Sequence, residues 1–283
     1  MYLKFFGLNE RPFSITPDIQ YLYLGKQHER ALDMLMYGVK ERMGFLLLTG
    51  EVGAGKTTLS RALLSRLDSS IATALLVNPL LSVPELLKAI TKDFGIPVRY
   101  NSPQKQIDAL NRFLIKIAAE NRNALVVVDE AQNLSNESLE ALRMLTNLET
   151  DKKKLLQILL VGQPELQKRL STHELRQLDQ RITTRCHLMP LTMIEMMRYI
   201  NHRISIAGGS GKIFFESKAY KLIYVETRGY PRLINLLCDR ALMSAFVRES
   251  YIVDRQAMKA AIADWKGRRV SSPWQFFRRL VFS

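Results

Sequence analysis

The sequence predicts an α/β fold: a doubly wound, mostly parallel sheet followed by a small helical domain. Three observations predict it. Short apolar runs rich in β-branched residues alternate with longer amphipathic segments up to about residue 191. Beyond that point the strand signal gives way to helical spacing. A glycine-rich loop ending in lysine also lies between a strand-like run and a helical one, the setting that a phosphate-binding loop requires.

The strand-like runs are 45–49, 74–78, 125–129, 155–161 and 186–191, each short and apolar enough for burial on both faces. Between them, 56–67, 83–94, 104–121, 135–148 and 164–170 carry apolar residues at helical intervals. Helical crossovers return each strand parallel to the one before it and cover both faces of the sheet. After 191, the segments 193–207, 217–227, 231–248 and 254–265 keep helical spacing. Ser217 and Asp254 are placed as caps, and Pro231 as a first-turn residue. Gly208-Gly209-Ser210-Gly211 reads as a flexible loop between two of these helices. The expected domains are a core over 1–191 with an amino-terminal arm (1–44), a helical domain over 192–267 and a basic aromatic tail over 268–283.

Composition narrows the class. Of 283 residues, 47% are hydrophobic and 24% charged, which supports a packed core and argues against disorder. The two cysteines, Cys186 and Cys238, lack CxxC spacing and read as buried free thiols in a reducing compartment. The start lacks the apolar run of a signal peptide, and no run approaches the roughly 18 apolar residues of a spanning helix, so a cytoplasmic protein is expected. Forty-one Lys and Arg against 27 Asp and Glu give a net charge of +14, which calls for a polyanionic partner: a nucleotide, DNA or an anionic membrane face. Charge alone does not choose among them.

The chemistry is carried by a few short stretches. Gly50-Glu51-Val52-Gly53-Ala54-Gly55-Lys56-Thr57, continuing into Thr58, fits G-x-x-x-x-G-K-[ST]. A polyphosphate needs several N–H groups aimed at one anion, so the loop must turn tightly, and the helix that follows adds its positive end. Lys56 would reach the β- and γ-phosphates, and the Thr57 hydroxyl would hold Mg²⁺. The run 125–128 ends in Asp129-Glu130, two acids at the carboxyl edge of a sheet, where α/β ligands bind. Asp129 would join the magnesium shell, and Glu130 would orient or deprotonate the attacking water. The alternative is a strand capped by two solvated acids.

Gln163 follows another apolar strand at the same edge, where its amide could touch the γ-phosphate or the water; spacing alone equally allows a solvated loop residue. In Gln180-Arg181-Ile182-Thr183-Thr184-Arg185, two arginines precede the last expected strand and could project from a subunit edge, or form an ordinary basic surface. Arg232, in Gly229-Tyr230-Pro231-Arg232, opens a helix from which it could reach over the phosphates or lie solvated.

Together these stretches resemble, in order and interval, the AAA+ set of Walker A, Walker B, sensor 1, arginine finger and sensor 2. The fold so implied is a P-loop NTPase core with a small carboxyl-terminal helical lid. More narrowly, Phe5-Phe6-Gly7-Leu8, Pro12-Phe13, Thr16-Pro17-Asp18, Asp129-Glu130-Ala131-Gln132 and Val161-Gly162-Gln163-Pro164-Glu165-Leu166 are similar to the ExeA, or general secretion pathway protein A, family over about residues 1–265. That resemblance implies an ATP- and Mg²⁺-dependent hydrolase working as a homo-oligomer, peripheral to the inner membrane, with membrane-associated envelope-assembly proteins of type II secretion or pilus systems as partners. It assigns the catalytic roles to Lys56, Glu130, Gln163 and Arg181, the last matching the finger better than Arg185. It favours adenine over guanine, with His28 and Glu29 as lining. Longer members continue into a transmembrane helix and a peptidoglycan-binding domain, which puts cell-wall binding by this stretch in doubt.

In the tail, Lys266, Arg268, Arg269, Arg278 and Arg279 stand beside Trp274, Phe276, Phe277, Leu280 and Phe282, a mixture suited to an anionic lipid surface or to packing on a partner. The rival class is a DNA-directed AAA+ ATPase such as a transposition helper subunit. The basic excess supports it, although no helix-turn-helix or zinc module is visible in the sequence.

Overall fold

The computed structural model describes residues 2–77, 79–97, 102–147, 149–150, 153–209 and 211–267. The elements in chain order are α1 (Tyr2–Phe6), α2 (Lys26–Lys40), β1 (Phe45–Gly50), α3 (Lys56–Arg66), β2 (Ile71–Leu76), α4 (Val83–Asp93), α5 (Pro103–Ala119), β3 (Asn123–Val128), α6 (Asn136–Leu145), β4 (Glu149–Thr150) and β5 (Lys153–Lys154). They continue with β6 (Leu156–Gly162), α7 (Pro164–Leu170), α8 (Arg176–Asp179), β7 (Ile182–Leu188), α9 (Met193–Ile206), β8 (Phe214–Phe215), α10 (Ser217–Thr227), α11 (Pro231–Val247), β9 (Ile252–Val253) and α12 (Arg255–Trp265). The basic aromatic residues from Arg268 to the end lie outside the described residues, as do Asn78, Leu148 and Ser210.

Lys26–Met189 forms one compact unit. Its sheet runs β2-β3-β6-β1-β7, every pair parallel. Every residue of the three central strands β3, β6 and β1 is buried, as their largely apolar sequences require; the polar exceptions Asn123, Gln157 and Thr49 each donate a side-chain hydrogen bond to a backbone carbonyl. The last strand begins at Ile182, four residues before the expected start, and so takes in Arg185. Its burial alternates strictly: Ile182, Thr184, Cys186 and Leu188 are buried, whereas Thr183, Arg185 and His187 face outward. An edge strand covered on one face carries only half the apolar residues of a central one, so its first half lacks a continuous apolar run. β2, at the other edge, begins at Ile71, three residues early; Ile71 and Ala72 are half-buried and Thr73 is exposed.

The described residues up to Gly25 and from Pro190 to Gly267 form the second unit. The expected arm of 1–44 is thus divided: α2 packs with the sheet, while Tyr2, Phe6, Leu8, Phe13 and Tyr21 join the core of the helical domain with Met196, Ile200, Ile234, Leu237 and Met258. Aromatic density explains the second placement, since Phe5 stacks on Tyr251 at 4.6 Å and meets Phe246 edge-on at 5.4 Å. Arg203 is 6% exposed and fixes the following stretch, donating to the carbonyls of Pro12 and Ser14 and lying 4.6 Å over the Tyr21 ring. The helix starts match their sequence signals: Pro231 lies in the first turn of α11, and Asp254 accepts from the Ala257 N–H at the head of α12. Ser217, expected as a cap, is instead the first helical residue, after Glu216. Both cysteines are buried free thiols, and burial pushes the Cys186 thiol up to about 11. Among the described residues no helix is long and apolar enough to cross a membrane.

Candidate nucleotide site at the sheet edge

In an all-parallel sheet the carboxyl ends of the strands share one edge. Here Thr49 of β1 pairs with Gly162 of β6, and Val128 of β3 with Leu160. The segments after these strands, 51–57, 129–133 and 163, therefore emerge side by side at the edge where open α/β sheets bind ligands.

The loop after β1 turns through Gly53 and Gly55, at φ +81° and +98°. The second angle is closed to ordinary side chains, and a Cβ there would also sit 3.6 Å from His28 Nε2. α3 begins at once with Lys56, so its unpaired N–H groups and positive end face the loop. Lys56 is 6% exposed, and its ammonium donates to the carbonyls of Gly50 at 2.9 Å and Glu51 at 3.1 Å. Burial holds its pKa below the ordinary 10.5, against the pull of Glu130 and Asp129.

Thr57 Oγ1 donates to Asp129 Oδ2 over 2.8 Å. Asp129 is 3% exposed, and its other oxygen accepts the Glu130 N–H at 2.9 Å. Burial raises its pKa above 3.8, opposed by those two hydrogen bonds. Glu130 has left-handed backbone, φ 55° and ψ 38°, a conformation that costs a non-glycine residue about 1–3 kcal/mol and is often found at functional sites. Its Oε2 accepts from the side-chain amides of Gln132 and, at 3.3 Å, Gln163. A hydroxyl and a carboxylate in contact at the head of a phosphate loop fit Mg²⁺, which takes few protein oxygens and keeps the rest for water and phosphate. Among the described residues no group of three or more His, Cys, Asp or Glu could form an all-protein metal cage.

The structure thus brings together Lys56, Thr57, Asp129, Glu130 and Gln163, with Gly50, Glu51, Val52, Gly53, Ala54, Gly55 and Thr58 forming the loop and its helix start. Arg181, just before β7, donates to Asn147 Oδ1. Arg185 projects from β7 and pairs with Asp179 at 3.0 Å. Arg232 is exposed in the first turn of α11, in the other unit. Glu29 is exposed, whereas His28 is buried with Nε2 3.1 Å from the Ala54 carbonyl; because a carbonyl only accepts, that nitrogen carries the proton and braces the loop. Sequence reasoning did not single out Gln132 or Arg169 as site residues. The 3₁₀ turn Ala131–Asn133, which swings Gln132 back toward Glu130, has no periodic signature to announce it.

A parallel sheet of this order with a phosphate loop, an acid pair of one buried and one half-buried carboxylate, and a polar residue on three adjacent strand ends defines an AAA+ P-loop protein, and a family model described as AAA domain matches residues 39–170. Within that class the chain belongs to the general secretion pathway protein A family. It is 46% identical over 276 residues to General secretion pathway protein A of Aeromonas hydrophila, a match covering 97% of this chain and 50% of that protein. The chain therefore spans about half the length of this curated relative. Among solved structures, ORC2 of Aeropyrum pernix, in ADPNP-ADP complexes, superposes with TM-score 0.66 at 17% identity, covering 90% of this chain and 71% of that one. A RuvB variant of Thermotoga maritima gives 0.56 at 18%, covering 84% and 66%. A Walker-type ATPase of Pyrococcus abyssi gives 0.58 at 16%, covering 88% and 76%. At such identities the likeness concerns the fold alone.

Proposed function

We propose that the chain binds Mg-ATP at the loop after β1 and hydrolyses it, and that this cycle serves the assembly of a bacterial cell-envelope machine of the secretion or pilus type. The convergence of Lys56, Thr57, Asp129, Glu130 and Gln163 on one sheet edge supports the chemistry, and the 46% identity to General secretion pathway protein A supports the setting.

The loop N–H groups and the start of α3 hold the phosphate chain, and Lys56 exchanges its carbonyl partners for phosphate oxygens. Thr57 and Asp129 hold Mg²⁺, which supplies charge neutralisation at the phosphates when bound. Glu130 orients a water in line with the γ-phosphorus and receives its proton, while the Gln163 amide keeps the carboxylate in place. Arg181 acts as the finger on a neighbouring copy's nucleotide and Arg232 as the second sensor, roles carried by the family resemblance. Turnover per subunit then rises with protein concentration as copies associate.

The charge excess of +14 gives a second reading, a DNA-directed ATPase. Binding and turnover measured with duplex DNA and with anionic liposomes, across salt concentration, separate the two. An envelope role predicts weak DNA binding without stimulation; DNA-stimulated turnover, with affinity falling steeply as salt rises, would overturn it.

A further inference from the structure

We propose that Gln132 is a positioning residue for Glu130 and that it ties the orientation of the carboxylate to the seat of α7. The inference rests on the hydrolytic role proposed for Glu130. The Gln132 amide is used at both ends: Nε2 donates to Glu130 Oε2, and Oε1 accepts the Gln163 N–H at 3.1 Å. Gln163 Nε2 donates to the same carboxylate oxygen at 3.3 Å. The three side chains close a ring in which two amides hold one oxygen and leave the other to address a water. The amide cannot be reversed without setting oxygen against carboxylate and NH₂ against a backbone N–H.

Gln132 is anchored at two further points. A Cβ on Gly162 would lie 2.9 Å from Gln132 Oε1 and 2.7 Å from Leu166 Cδ2, so only glycine leaves the amide its place. The Gln132 carbonyl accepts from Arg169 Nη1 at 2.7 Å, while Arg169 Nη2 reaches the Leu134 carbonyl at 2.9 Å and Asn136 Oδ1 at 2.6 Å. Gln163 stands at the residue before α7 and Arg169 lies in its last turn, so both ends of α7 are tied to Gln132. A displacement of α7 by about 1 Å would pull the amide from the carboxylate, and misplacement on that scale costs up to about 10²-fold in rate. Whatever moves α7 would therefore gate Glu130.

The test is single-turnover ATP hydrolysis and ATP-analogue affinity for the wild type, Gln132→Met, Glu130→Gln and the double variant. Gln132→Met keeps the shape of the side chain and removes both hydrogen bonds. The expected result is a single-turnover rate constant about 10- to 100-fold lower with affinity within about two-fold and an unchanged melting curve. In the Glu130→Gln background, Gln132→Met should change nothing more, because the group it positions is gone. Wild-type turnover in Gln132→Met, or an equal loss in both backgrounds, overturns the proposal. If Glu130→Gln itself turns over like the wild type, the role of Glu130 fails first, and that outcome is distinct. Should Gln132→Met not fold, Gln132→Glu serves: it keeps the acceptor and sets a second carboxylate against Glu130, so a wild-type rate constant there overturns the proposal as well.

Discussion

Thr57 and Asp129, 72 residues apart in sequence, meet at the carboxyl edge of the sheet, the hydroxyl donating to Oδ2 over 2.8 Å. The contact joins the first turn of the phosphate-loop helix to the end of β3 and fixes a buried carboxylate.

That carboxylate is a cost to the fold. Its folded pKa lies above the unfolded value, so the native state binds more protons in the window from about 3.8 up to the raised value. Stability from this group therefore falls as pH rises through that window, and the cost persists at neutral pH. Asp129→Asn should stabilise the nucleotide-free protein by about 1 kcal/mol at neutral pH. It should also abolish Mg²⁺-dependent nucleotide binding. Thermal melts with and without Mg-ATP check both.

Gly55 stands at φ +98° with His28 Nε2 3.6 Å from the position of a Cβ. Gly55→Ala should cost about 1–2 kcal/mol from the left-handed backbone alone. Because the strain falls on the phosphate loop, nucleotide affinity should drop further than the melting temperature suggests. Denaturant unfolding and titration of a fluorescent nucleotide read the two effects separately.

His28 braces the Ala54 carbonyl from a buried position on α2. His28→Ala leaves that carbonyl without its donor and should cost about 1–3 kcal/mol. A brace should also lose affinity for diphosphate and triphosphate alike, whereas a purine-lining residue should alter the preference for adenine over guanine; competition titrations with ADP, ATP and GTP decide.

Arg203 ties Pro12, Ser14 and Tyr21 into the helical unit. Arg203→Met keeps the apolar stem and removes the donors, and should cost about 2–4 kcal/mol. Limited proteolysis should then cut within 9–25 well before it reaches α9, and an unchanged cleavage pattern would contradict this anchoring role.

The core was legible where burial on both faces wrote itself as a mostly apolar run: β1, β3 and β6 lie within a residue or two of the expected runs. It was less legible at the edges, where β7 mixes Thr183, Arg185 and His187 with buried neighbours and β2 begins with half-exposed residues. The phosphate loop and the acid pair were readable because their spacing is set by local geometry. Gln132 was not, since its role depends on a left-handed residue at Glu130 and a single 3₁₀ turn that bring together residues from two strand ends. The division of the first 44 residues was hidden for a related reason. Tyr2, Phe5 and Phe6 find their partners more than 190 residues away, and no local pattern records that.

The most direct measurement is ATP turnover and ATP binding by Glu130→Gln beside the wild type and Lys56→Ala, across protein concentration. A hydrolase built on this edge predicts that Glu130→Gln binds nucleotide as tightly as the wild type yet turns it over at least about 10²-fold more slowly. It also predicts that Lys56→Ala fails to bind and that wild-type turnover per subunit rises with concentration. Equal turnover by Glu130→Gln and the wild type would contradict the assignment of Glu130 and, with it, the proposed chemistry of the site.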